Sequence, residues 1–350
     1  MKKSILFLSF FIIPLALAAA DLNGSLATAM EKNDIDAVKM LILKGADVNT
    51  KDRYGWTPII RAALANDTET VKLLIEKGAD VRAIGNNGVT AFYFAASRGN
   101  LEMAKLIYNA DPKLNIRQGV PPYTPMDDPA AGGNIPVVAF LLDAGYDVNE
   151  RLAYGRRPVM CAAEWGRLEL VKFLRGKGAD IEAADNLGGN ALMLASQRGR
   201  IEVVKYLVES GANVNAKSQV GYNPLRWAAC GGHGAVAEYL IEKGADVNAR
   251  ENDGQTAIMC AAACGHSDTV SLLLEHGADA AAATNYGETA LLMAVMNLDK
   301  GKNKIAVITA LIKGGADVNA ANREGLTPLQ AAVRKKDHDT ATLLKKAGGK

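Results

Sequence analysis

Between residues 51 and 83 the apolar positions fall in two short blocks separated by polar turns. Small Ala62 and Ala63 mark the first block and let helices approach closely. Val71, Leu73, Leu74 and Ile75 supply the apolar face of the second. The flanks predict two helices. Thr57 is placed to cap the first, and Pro58 sits in its opening turn, where a missing N–H costs nothing. Glu69 puts negative charge at the start of the second helix. Gly78 ends it in the left-handed conformation that favours glycine. The polar stretch from Asp80 onward predicts an extended loop or hairpin. Two helices this short cannot bury their faces alone, so such units must stack.

The same pattern recurs. Gly45-Ala-Asp-Val-Asn returns at Gly78, Gly145, Gly178, Gly211, Gly244, Gly277 and Gly315 with small changes, mostly 33 residues apart or a multiple of it. A second phrase precedes it at fixed distance: Gly55-Trp-Thr-Pro, Gly88-Val-Thr-Ala, Gly254-Gln-Thr-Ala, Gly287-Glu-Thr-Ala and Gly325-Leu-Thr-Pro. In period and in phrase the chain resembles the ankyrin-repeat family over nearly all of residues 21–350. The resemblance implies an all-α repeat protein, a solenoid of about ten helix-turn-helix units joined by hairpin loops. The repeats are placed at 21–50, 51–83, 84–115, 116–149, 150–183, 184–216, 217–249, 250–282, 283–320 and 321–350. Lys345, Lys346 and Lys350 suit the soluble outer face of a capping repeat.

Two places break the rhythm. Asp111-Pro112 stands where a helix-ending glycine is expected, and Gly119-Val-Pro-Pro-Tyr123 lacks a clear hairpin glycine. Pro129 is expected inside the first helix of its repeat, where it removes a backbone bond and clashes; Pro136 opens the second helix harmlessly. This predicts a distorted repeat that acts as a hinge or has simply decayed. The second break, Asn297 to Lys304, adds five residues, because Gly277 and Gly315 are 38 apart rather than 33. Its composition predicts a solvated loop.

The N-terminus carries a different signal. Lys2-Lys3, the apolar run Ile5 to Leu17 and Ala18-Ala19-Ala20 form a signal-peptide pattern over residues 1–20. The apolar run is short for a span of roughly 20 residues. The expectation is an exported protein, periplasmic or secreted, with no stable membrane insertion after cleavage. Removing Lys2 and Lys3 leaves 38 basic against 38 acidic residues. That balance gives no long-range pull on nucleic acid or an anionic membrane. Four cysteines are too few for a disulfide-held scaffold of this length. An array capped at both ends needs no self-association, so a monomer is expected.

The resemblance implies binding of a protein partner along the concave face, through residues flanking the hairpin glycine and residues late in each first helix. Carried over by position, this face includes Ser97, Glu164, Leu187, Gln197, Val220, Cys230, Tyr286 and Met296. Its aromatic and arginine members are the partner-binding candidates: Tyr54, Trp56, Arg98, Tyr154, Arg156, Trp165, Arg198 and Tyr222. Such side chains bury much area with few rotors to freeze and direct hydrogen bonds well. Phe94, Leu194, Trp227 and Met293, just before the alanine pair, are assigned to core.

No constellation supports catalysis. There is no phosphate-binding loop, no zinc-binding His-Glu-x-x-His helix and no nucleophile elbow. Asp47, Asp80, Asp147 and Asp180 recur with the repeat, which marks turn residues, and Asp127-Asp128 reads as helix-start charge. No enzyme and no cofactor are expected. One alternative is carried forward: Cys230, His233, Cys264 and His266 occupy nearly equivalent places in adjacent repeats and form a metal- or thiol-dependent set, with Cys230–Cys264 as a candidate disulfide. Cys161 and Cys260, three repeats apart, cannot pair with each other and read as small core residues.

Overall fold

The computed structural model describes residues 21–111, 113–117, 124–299 and 302–350. The expected leader at 1–20 lies outside the described residues, as do Pro112 and the whole Gly119–Tyr123 segment. The described residues form twenty α-helices in ten pairs, with no strand beyond an isolated bridge between Ala283 and Thr289. The chain divides after Tyr154 into two compact units.

The first unit holds α1 (21–31), α2 (Ile35–Leu43), α3 (Pro58–Leu64), α4 (Thr68–Glu76), α5 (Ala91–Ser97), α6 (Leu101–Ala110), α7 (Asp127–Gly132) and α8 (Ile135–Asp143). First helices pack on first helices and second on second: α3 meets α5, α5 meets α7, α4 meets α6 and α6 meets α8. Isolated helices below about 12 residues are marginal in water, so this packing holds them. Ala62, Ala63, Ala95 and Ala96 are fully buried at the close contacts.

The second unit repeats the scheme through α9 (Pro158–Glu164), α10 (Leu168–Gly176), α11 (Ala191–Gln197), α12 (Ile201–Glu209), α13 (Pro224–Cys230) and α14 (Gly234–Glu242). It continues with α15 (Ala257–Cys264), α16 (Ser267–Glu275), α17 (Ala290–Asn297), α18 (Lys302–Lys313), α19 (Pro328–Arg334) and α20 (His338–Lys346). Lys345, Lys346 and Lys350 are exposed on its last repeat.

Side chains of the repeated phrase close the backbone accounts of the turns. Asp47, Asp80, Asp147 and Asp180 behave as turn residues: Asp47 Oδ1 accepts from Asn49 N at 2.9 Å, and Asp180 Oδ1 from Glu182 N at 2.9 Å. In several repeats the asparagine two residues on ties that repeat to the next. Asn248 Oδ1 accepts from Asp279 N at 2.8 Å while its Nδ2 donates to Gly277 O at 3.0 Å. Asn49, Asn215 and Asn319 each accept from a backbone N–H 31 residues on.

Three expectations need correction. Thr57 occupies the cap position of α3, but its hydroxyl makes no capping bond and is buried without a partner; Thr90, Asn190 and Asn223 do cap their helices. Pro129 does not break a helix, because α7 starts at Asp127 and places it in the first turn, where the N–H has no intrahelical acceptor to lose. Asp127 Oδ2 accepts from Thr124 N and Oγ1, fixing that start. The irregular repeat is also braced by Tyr146, whose buried ring sends its hydroxyl to Ile116 O at 3.0 Å. Finally, Lys304 is not in a solvated loop: α18 runs 12 residues where most second helices run nine, and Lys304 is buried inside it.

Phe94, Leu194 and Trp227 are half-buried rather than core; of that row only Met293 is buried.

Candidate functional site

In the second unit the hairpins present a row of apolar side chains. Leu187, Val220 and Tyr286 each precede a hairpin glycine, and Leu187 is 74% and Tyr286 62% exposed. Their backbones are fixed by the next hairpin along. Gln219 N donates to Leu187 O at 3.2 Å, Asn252 N to Val220 O at 3.3 Å, and Arg323 N to Tyr286 O at 2.9 Å. Glycine is required beside them: a Cβ on Gly188, whose φ is +81°, would sit 2.7 Å from Gln219 N. The tips therefore dock backbone to backbone, leaving the preceding side chain directed outward. Asp253 holds the same place in the repeat between Val220 and Tyr286, and its carbonyl accepts from Asn285 N at 2.8 Å.

Trp165 is exposed at the end of α9, and the guanidinium of Arg198 lies 5.6 Å from its ring centre. Arg156 and Arg198 are both tied to Glu164, whose carboxylate is buried. Arg156 Nη1 is 2.7 Å from Oε2, and Arg198 Nη2 is 2.9 Å from Oε1. Arg200 Nε adds a bond to Glu164 O at 3.2 Å. Glu164, placed by position on the exposed face, is instead the buried counter-charge of two arginines from adjacent repeats.

Tyr222 is half-buried. Its ring meets Trp227 edge-on at 5.5 Å, and the Arg226 guanidinium stacks 3.5 Å from its centre. Arg226 Nε in turn reaches Glu251 Oε1 at 2.7 Å. Burial pushes the Glu251 carboxyl above its ordinary range despite this arginine.

In the first unit Trp56 is likewise packed. It lies 5.7 Å from Phe94 and 6.3 Å from Tyr54, with Arg61 4.3 Å over its ring and Nε1 donating to Asn87 Oδ1 at 3.2 Å. Arg61 is held by buried Asp52 at 2.6 and 2.9 Å. Trp56 and Tyr222 are thus hairpin-to-helix packing residues. Tyr54 and Arg98 remain exposed, and Tyr154 is 63% exposed with φ +59°, a left-handed backbone rare for tyrosine.

The cysteine and histidine set does not assemble as expected. His233 Nε2 lies 3.0 Å from Gln197 O and His266 Nε2 3.0 Å from Cys230 O, so both rings bond to the end of the preceding repeat's first helix. Cys230 is disulfide-bonded to Cys260, not Cys264, with Cα atoms 5.1 Å apart. Cys264 is exposed, its Sγ 3.6 Å from that of Cys230. Cys260 does not pair with Cys161, as expected, but it has a partner 30 residues back, because α13 packs on α15.

Known proteins agree with this architecture. A family model described as ankyrin repeats (3 copies) matches residues 26–118, 128–218, 182–251 and 227–320. The crystal structure of an ankyrin repeat domain from Acinetobacter baumannii AYE is similar, at 33% identity and a TM-score of 0.50, over 55% of this chain and 98% of that one. A search of curated proteins found no match. Ankyrin repeats are in general protein–protein interaction modules and typically not enzymes. With the matched segments spanning most of its length and the repeated helix pairs seen throughout, the chain belongs to the ankyrin-repeat family.

Proposed function

We propose that this is an exported, monomeric, non-catalytic protein whose array binds a partner protein through its hairpin tips and the exposed ends of its first helices. The observation that carries this reading is the row of Leu187, Val220 and Tyr286, apolar side chains turned to solvent on backbones that the neighbouring hairpins hold still. Burying apolar surface from a rigid frame gains hydrophobic free energy without a large ordering cost. Trp165, exposed at the end of α9, keeps an arginine over its ring, the residue types that dominate interface energetics. Export rests on the leader pattern of residues 1–20, with the periplasm or the exterior as destination.

Affinity capture tests the reading. Residues 21–350 are immobilised and exposed to extract from the producing cell's envelope, with Leu187→Asp/Tyr286→Asp and Tyr154→Ala/Trp165→Ala as parallel baits. The expected result is a protein retained by the parent and lost by the first variant. Retention unchanged in both variants removes this face from the proposal. Amino-terminal sequencing of the envelope form tests export, and the expected first residue is Asp21.

A further inference from the structure

Three thiols from two neighbouring repeats converge in the second unit. Cys260 and Cys264 are four residues apart on α15, so they share one helix face. Cys230 ends α13, which packs against α15. All three sulfur atoms lie within 4.8 Å of one another. Among the described residues no histidine or carboxylate joins them; His233 and His266 turn Nε2 to backbone carbonyls instead.

We propose that this cluster, when its disulfide is reduced, is a binding site for one Cu(I) ion held by three thiolates. Around an ion at about 2.3 Å from each sulfur, three thiolates stand about 4 Å apart. Cys230 and Cys264 are already at 3.6 Å, and the whole set fits inside 4.8 Å. Once the Cys230–Cys260 bond is open, those two sulfurs part to about 4 Å, a move of about an ångström each, to complete the triangle. An all-sulfur set of three suits a soft monovalent ion better than Zn(II), which takes four ligands in structural sites. Cys260 is buried and anchors the site, while exposed Cys264 opens it to solvent and gives the ion a path in.

A dithiol or phosphine reductant supplies the two electrons that open the Cys230–Cys260 bond, and two protons give the free thiols. Binding of Cu(I) then releases the thiol protons without further change in oxidation state. In the disulfide form two of the three ligands are joined to each other, so the site is closed. This inference does not depend on the partner-binding reading.

The test uses residues 21–350, reduced with a phosphine under anaerobic conditions and titrated with Cu(I) against a chromogenic Cu(I) chelator. One ion per chain is expected. X-ray absorption should find three sulfurs at about 2.3 Å. Cys230→Ser should drop the count to two sulfurs and weaken binding by about tenfold or more. Cys161→Ala, outside the cluster, should bind as the parent does. The unreduced chain should not compete with the chelator. Far-UV circular dichroism verifies that each variant is folded. A two-sulfur ion in the parent, equal affinity in Cys230→Ser, or a disulfide that the phosphine leaves closed would each overturn the proposal.

Discussion

Lys304 and Asp337 form a buried ion pair: Nζ lies 2.9 Å from Oδ2, and the side chains are 1% and 4% exposed. The remaining ammonium hydrogens go to Val295 O at 2.9 Å and Leu298 O at 3.0 Å, at the end of α17. Asp337 also caps α20 through Thr340 N at 3.2 Å and Thr340 Oγ1 at 2.8 Å. One pair thus ties the last turn of α17, the start of α18 and the start of α20.

Removing one partner strands the other charge in the interior. Lys304→Met should therefore destabilise the second unit by about 3 kcal/mol, near the lower end for a broken buried pair. Adding Asp337→Ser, which keeps a capping oxygen and removes the charge, should recover part of that loss. Urea unfolding of Lys304→Met, Asp337→Ser and the double variant checks this. Losses of the two single variants that add in the double variant would show that the pair is not coupled.

The pair explains why part of the structure was legible in the sequence and part was not. The helix pairs follow from local signals: Pro58 in a first turn, Gly78 past a helix end, Asp47 turning a loop. Contacts between repeats obey a different rule, because stacking places residues about one period apart side by side. Asp337 is 33 residues after Lys304, Arg198 is 34 after Glu164, and Cys260 is 30 after Cys230. Read along the chain, Lys304 belongs to a polar insertion and Glu164 to an exposed face. Read across the period, each has its counter-charge in place. The packing of Trp56 and Tyr222 was hidden for a further reason: their arginine partners, Arg61 and Arg226, sit within their own repeats on the first helix rather than on the hairpin.

Acid should weaken the array through its capping carboxylates. Burial pushes Asp67 and Asp337 up, but the Thr70 bonds at Asp67, and Lys304 with Thr340 at Asp337, outweigh it and hold both below the ordinary value. A carboxyl depressed in the folded state adds stability that is fully present above its unfolded pKa of about 4 and is lost as pH falls through the folded value. The urea midpoint should therefore hold steady from neutrality to about pH 5 and fall below about pH 4. Asp67→Asn keeps a capping oxygen without the charge, so its midpoint should fall less steeply in that range.

Glu164 and the hairpin tips should separate structural from binding roles. Glu164→Gln leaves Arg156 and Arg198 without their counter-charge. Because both arginines are partly exposed, water screens the loss, and the cost should be about 1–2 kcal/mol. Leu187→Ala and Tyr286→Ala remove little buried surface and should stay within about 0.5 kcal/mol of the parent. Thermal unfolding of the three variants tests the contrast. A loss of stability at Leu187 as large as that at Glu164 would assign the tips to folding rather than recognition.

The Cys230–Cys260 bond closes a loop of about one repeat between α13 and α15. Restricting that loop in the unfolded chain should be worth about 3.6 kcal/mol. In a stacked array each repeat leans only on its neighbours, so the loss on reduction should be local. Amide exchange before and after reduction with a phosphine locates it. Protection should fall in α13 to α16, while α3 to α6 of the first unit should exchange as before. A uniform fall through both units would mean that the bond supports the array as one cooperative body, and an unchanged pattern that the neighbouring helices hold α13 and α15 together without it.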